Sequence, residues 1–146
     1  MNKIPAVLAI ALMINCAAPM AMAQDKQRNN FLLRFFDMNE GAALYNRYCM
    51  KKDDASLGRF KANHDRVGQA LLNELIRQSP ETSPQVVRAT LKERQQGLHY
   101  QLESFYMQNR CTHPEAIQAK VHYETLAAVS ESQLDEYIAG EMPIAH

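Results

Sequence analysis

Apolar residues return every three or four positions along most of the chain, and no segment alternates apolar and polar residues between Gly or Pro boundaries as a strand would. The pattern predicts an all-α fold, a small up-down bundle of four main helices plus a short C-terminal helix. The first helix is predicted from Phe31 to about Lys51, with Phe31, Phe35, Met38, Ala42, Tyr45 and Cys49 on one face and Gly41 as its weak point. The second follows the Asp53-Asp54 start signal and carries Leu57, Phe60, His64, Val67, Leu71 and Leu75 as its apolar stripe, ending near Gln78 ahead of Pro80. Ser83 and Pro84 mark the N-cap and first position of a long third helix bearing Val87, Leu91, Leu98, Leu102 and Phe105. Thr112 and Glu115 have capping-box spacing ahead of a fourth helix with Ile117, Val121 and Ala128 at helical intervals. Ser130 and Gln133 repeat that spacing before a last helix, Glu131 to Ala139, which Gly140 is placed to terminate.

The N-terminus follows a different pattern. A basic start at Met1 to Lys3, an apolar stretch from Ile4 to Ile14 and the small-x-small run Ala21-Met22-Ala23 together match a signal peptide cut before Gln24. The expected division is therefore a cleaved signal peptide, residues 1–23, and a single helical domain, residues 24–146. The protein is expected to be exported, periplasmic or secreted, without a permanent membrane span, because the apolar stretch is too short to cross a bilayer as a helix. Cys16 offers a lipidated alternative, against which Asn15 stands where such sites carry a small residue.

Cleavage leaves Cys49 and Cys111, an even pair in an oxidising compartment, which predicts a disulfide. The helix order supports the same pairing, since an up-down path brings the end of the first helix and the end of the third to one end of the bundle. A bridge separated by 62 positions stabilises by about 4 kcal/mol in the chain-entropy model.

Sixteen basic residues balance sixteen acidic ones, which excludes a dedicated polyanion binder, and no nucleic-acid partner is expected. The charge is uneven, with 13 basic and 9 acidic residues over 24–95 against 2 and 7 over 96–146. Such a dipole is able to orient an encounter with a partner.

Catalytic motifs are missing from the sequence. Cys49 is followed by Met50-Lys51-Lys52-Asp53, not by the second thiol and histidine of covalent haem attachment, and no nucleophile elbow or glycine-rich phosphate loop occurs. His99 and Glu103 stand one turn apart, but a metal site needs three or four converging ligands, so neither a metal nor a cofactor is expected. His64, in line with the apolar stripe of the second helix, is read as a hydrogen-bonded core-edge ring, with ligand binding as its functional alternative. Leu32 and Phe36 fall about 100° away from the face of Phe31 and Phe35, so Phe31, Leu32 and Phe36 form the candidate partner-binding cluster. These features point to an exported, non-catalytic helical protein that binds another protein as an inhibitor, immunity protein, chaperone or secretion accessory. The alternative is an exported bundle that holds a small ligand or metal in its interior, with His64 and the tyrosines as polar contacts.

Overall fold

The computed structural model describes residues 17–140, and side chains from residue 25 onward. Among the described residues there are five α-helices and no strand: α1 Ala17–Tyr45, α2 Ala55–Gln78, α3 Pro84–Gln108, α4 Pro114–Ala128 and α5 Glu131–Ala139. A π-helical turn, Asn46–Met50, extends α1. The predicted leader falls mostly outside the described residues, whose helix α1 begins seven positions before Gln24.

The caps follow from local chemistry. The Asp54 side chain accepts from the backbone N–H groups of Ser56 and Leu57, and Ser83 accepts from Val86 N–H directly ahead of Pro84. At α5 both halves of the capping box form between Ser130 and Gln133, and Gly140 closes the helix at φ +81°. The fourth helix corrects the sequence reading by one position. Pro84 and Pro114 each take the first helical position, so the cap is the residue before proline; at α4 that residue is His113, whose Nδ1 accepts from Glu115 N–H.

Helices α1 and α2 form the centre, α3 lies along one flank of that pair and α4 along the other, and α5 folds back on α2. The core is built from Leu32, Phe35, Phe36 and Ala42 of α1, Phe60, Val67 and Leu71 of α2, Tyr123, Leu126 and Ala127 of α4, and Leu134 and Ile138 of α5. Phe60 stacks on Tyr123 with ring centroids 4.6 Å apart, and Phe35 meets Tyr137 edge-on at 5.0 Å. Buried Asn63 donates to the carbonyls of Leu126 and Val129 at 2.7 and 3.0 Å, satisfying acceptors that the end of α4 would otherwise leave open.

Packing against three helices explains two departures in α1. Its buried arc is far wider than one stripe, taking in Leu32, Phe36, Asn39, Glu40 and Leu44, while Met38 is half exposed. Nor does the helix weaken at Gly41; its irregularity comes later, in the π-turn. There Lys51 adopts a left-handed φ of 55°, and the Asn46 side chain holds the exit by pairing with both the N–H and the carbonyl of Lys52.

Cys49 in that turn and Cys111 after α3 form the predicted disulfide, with Cα atoms 5.8 Å apart. Aromatic rings gather beside it, Tyr48 stacking on Tyr106 and Phe105 meeting His113 edge-on. At the opposite end, Glu74 is held by Arg77 and Gln78 of its own helix and by Arg28 of α1, and Arg77 also reaches Asp25. Those bonds outweigh burial and keep the Glu74 carboxyl below its ordinary range.

Candidate functional site: a buried carboxylate and an exposed apolar groove

Leu32, Phe36, Glu40 and Leu44 recur at intervals of four along α1 and are all buried, so Glu40 occupies a position that helical geometry reserves for an apolar side chain. It is 1% exposed. Its Oε1 accepts from His64 Nε2 of α2 at 2.8 Å and from Gln95 Nε2 of α3 at 2.7 Å, and its Oε2 accepts from His99 Nε2 of α3. Burial is the largest influence on Glu40 and would raise its pKa, but the donors from His64, His99 and Gln95 together outweigh it and hold the carboxyl below its ordinary value. For His64 burial again acts first, favouring the neutral ring. It is outweighed by Glu40 and by Asp65, whose Oδ1 lies 3.7 Å from Nδ1, so the imidazole is raised above its ordinary 6.5.

A carboxylate holding three donors is a counter-ion that joins helices, with little basicity left for proton abstraction. Both imidazoles donate through Nε2 to separate oxygens of Glu40, and among the described residues no group of three or more His, Cys, Asp and Glu side chains is arranged to hold a metal ion. Two exposed ion pairs continue the polar seam between α1 and α3. Asp37 meets Arg94 in a two-pronged contact at 2.6 and 3.2 Å, and Arg47 of the π-turn lies 3.5 Å from Glu103. Glu103, one turn from His99, thus serves Arg47 while His99 serves Glu40.

The other flank carries a different feature. Met38 of α1 and Ile117 and Val121 of α4 are 51%, 48% and 52% exposed, and they edge a groove of about 310 Å³ floored by Phe35 and Tyr137. The periodicity had placed all three inward. Ile117 and Val121 face out because α4 turns Ala116, Tyr123, Leu126 and Ala127 toward the core. His122 beside the groove donates to Asn39 Oδ1 at 2.6 Å.

The aromatic cluster proposed from sequence as a binding face proves to be interior. Leu32 is fully buried and Phe36 4% exposed, the cover coming from α2 and its neighbours in the same chain; Phe31 is half-buried against Phe35 and Tyr137. Leu32 has no surface left to meet a partner, and Phe36 shows only the edge that lines a cleft between α2 and α3. His64 is the hydrogen-bonded core-edge ring expected of it, lying between Phe36 and Phe60. Glu40 escaped the sequence reading, although its place four residues from Phe36 and from Leu44 was the available signal. Comparison with protein-family models, curated proteins and solved structures finds no match to this chain.

Proposed function

We propose that the chain is an exported, non-catalytic helical protein that binds another protein, and that its docking surface is the groove edged by Met38, Ile117 and Val121. The observation that carries this reading is the grouping of three large aliphatic side chains, each about half exposed, around one concave apolar surface. The occupant proposed is a basic amphipathic helix of the partner. Apolar anchors suit the groove, and α4 and α5 present Glu115, Glu124, Glu131, Asp135 and Glu136 against the single cation Lys120. Arg66 engages Glu131 and Asp135, and Lys120 lies 3.8 Å from Glu124, which leaves Glu115 and Glu136 to meet cations on the partner.

Export rests on the leader pattern of residues 1–23 and on the Cys49–Cys111 bridge, which forms readily outside the reducing cytosol. The proposed cut leaves intact the described contacts that begin at Asp25. Among the described residues, no helix is long and apolar enough to cross a membrane. Intact-mass measurement is expected to show a chain starting at Gln24; a chain starting at Cys16 and carrying lipid would replace this route.

A photo-crosslinking residue at Val121 in the full chain tests the groove. The expected result is an adduct with a different protein, lost on Met38→Glu while the melting temperature stays near that of the parent. No adduct, or an adduct of two copies of this chain, would overturn the reading.

A further inference from the structure

The polar stripe of α3 that grips Glu40 continues past it. Arg88, Lys92, Gln95 and His99 follow one another at three- or four-residue intervals, and the last two are engaged by Glu40. Arg88 and Lys92 have no acid and no hydrogen-bond acceptor among the described residues. They line instead an open cleft of about 450 Å³ between α2 and α3, whose apolar surface comes from Phe36, Leu72 and Leu91. Gly68 of α2 keeps this cleft open. A Cβ there would stand 3.6 Å from the Phe36 ring, which is ordinary contact, so an alanine would fit but a longer side chain would project into the space.

We propose that this cleft binds a small amphipathic anion, an organic carboxylate or phosphate with an apolar body. Two cations one helical turn apart offer charge-assisted hydrogen bonds to a single head group, and the adjoining apolar wall takes the body away from water. Asp65, the acid of the lining, sits beside His64 at 3.7 Å, and that imidazole is its partner. The head group therefore belongs at the Arg88 and Lys92 end and the body toward Phe36. The site is separate from the groove at Met38, Ile117 and Val121, and its existence does not depend on whether that groove binds protein.

The test is titration of the isotopically labelled full chain with octanoate, octyl phosphate, octanol and inorganic phosphate, followed by amide shifts. Octanoate or octyl phosphate is expected to give saturable shifts centred on Gly68, Leu72, Arg88 and Lys92; whichever binds more tightly identifies the head group. Octanol and inorganic phosphate, each lacking half of the recognised chemistry, should bind at least about tenfold more weakly. The double variant Arg88→Gln, Lys92→Gln should lose affinity by a similar factor with an unchanged melting temperature, because neither side chain holds another. Gly68→Leu should block binding while both cations remain. Octanol binding as tightly as octanoate, a response confined to the Met38–Val121 groove, or undiminished binding by the double variant would each overturn the proposal.

Discussion

The two flanks of α1 are held by opposite means. Toward α4 the contact is apolar and aromatic, with Phe35 of α1, Phe60 of α2 and Tyr123 and Leu126 of α4 all nearly inaccessible. Toward α3 it is mainly polar, with Tyr106 against Tyr45 and Tyr48 as the aromatic exception. Val87 is the one buried residue of α3, and the helix is kept in place by the Glu40 cluster, the Asp37–Arg94 and Arg47–Glu103 pairs, and the disulfide at its far end. Hydrophobic burial is strong and non-directional, whereas hydrogen-bonded charge fixes register but returns little net stability once desolvation is counted. The α4 flank therefore supplies most of the cohesion, and the α3 flank supplies orientation. The covalent bridge ties down the helix that buries the least of itself.

The largest effect expected belongs to the apolar side. Phe60→Ala removes a ring that is 3% exposed and stacked on Tyr123, and should destabilise by about 3 to 5 kcal/mol in denaturant unfolding. A loss below about 1 kcal/mol would show that α4 packs loosely and would erase the contrast between the flanks.

Next comes the bridge. Replacing Cys49 and Cys111 together by serine should lower stability by about 2 to 4 kcal/mol. Hydrogen exchange should locate the loss. Amides of α3 are expected to lose protection first while those of α4 keep theirs, and equal loss in both helices would mean that the bridge restrains the chain as a whole.

Much of this arrangement was legible in the sequence. Helix number, the Ser83-Pro84 start, the Ser130 capping box and the Cys49–Cys111 pair follow from local rules that tertiary packing leaves alone. Which face each helix buries was read less well. A central helix has no single buried stripe, so periodicity assigned Met38, Ile117 and Val121 to the interior and left Leu32 and Phe36 for a partner, the reverse of what packing does. Glu40 was hidden for a related reason. Its donors come from positions 64, 95 and 99, and no local spacing brings those residues to it.

A smaller effect, visible chiefly in its pH dependence, is expected from Glu40→Gln. The variant keeps the shape but turns one acceptor into a donor facing donors, a mismatch worth about 1 to 3 kcal/mol. In the parent chain Glu40 titrates below its ordinary 4.5, so its contribution is present above that pH and is lost as pH falls through the folded value. His64 titrates above its ordinary 6.5, so its contribution is complete below 6.5 and is lost as pH rises through the folded value. The cluster should thus favour folding most between about pH 4.5 and 6.5. Unfolding free energies across that range should show a maximum that flattens in Glu40→Gln. An unchanged profile would separate the pH response from this cluster.

The smallest effect concerns the rim of the same flank. Arg94 and Asp37 meet in a fork with the guanidinium 48% and the carboxylate 28% exposed. Their geometry is good, and the contact raises the guanidinium pKa, chiefly through the hydrogen bond to Asp37. Water and salt nevertheless screen a pair this accessible, and ordering two flexible side chains offsets part of the attraction. A double-mutant cycle of Arg94→Ala and Asp37→Ala should give a coupling of about 0.2 to 1 kcal/mol, diminishing as salt is raised. If the polar seam owes its hold to buried Glu40 rather than to its rim, the cycle should give the same coupling in the Glu40→Gln background, because the two contacts would then act independently. A coupling that rises well above 1 kcal/mol, or that collapses when Glu40 is neutralised, would mean that Asp37, Arg94 and Glu40 form one cooperative network, and that the exposed edge of α3 contributes to its attachment as much as its buried face does.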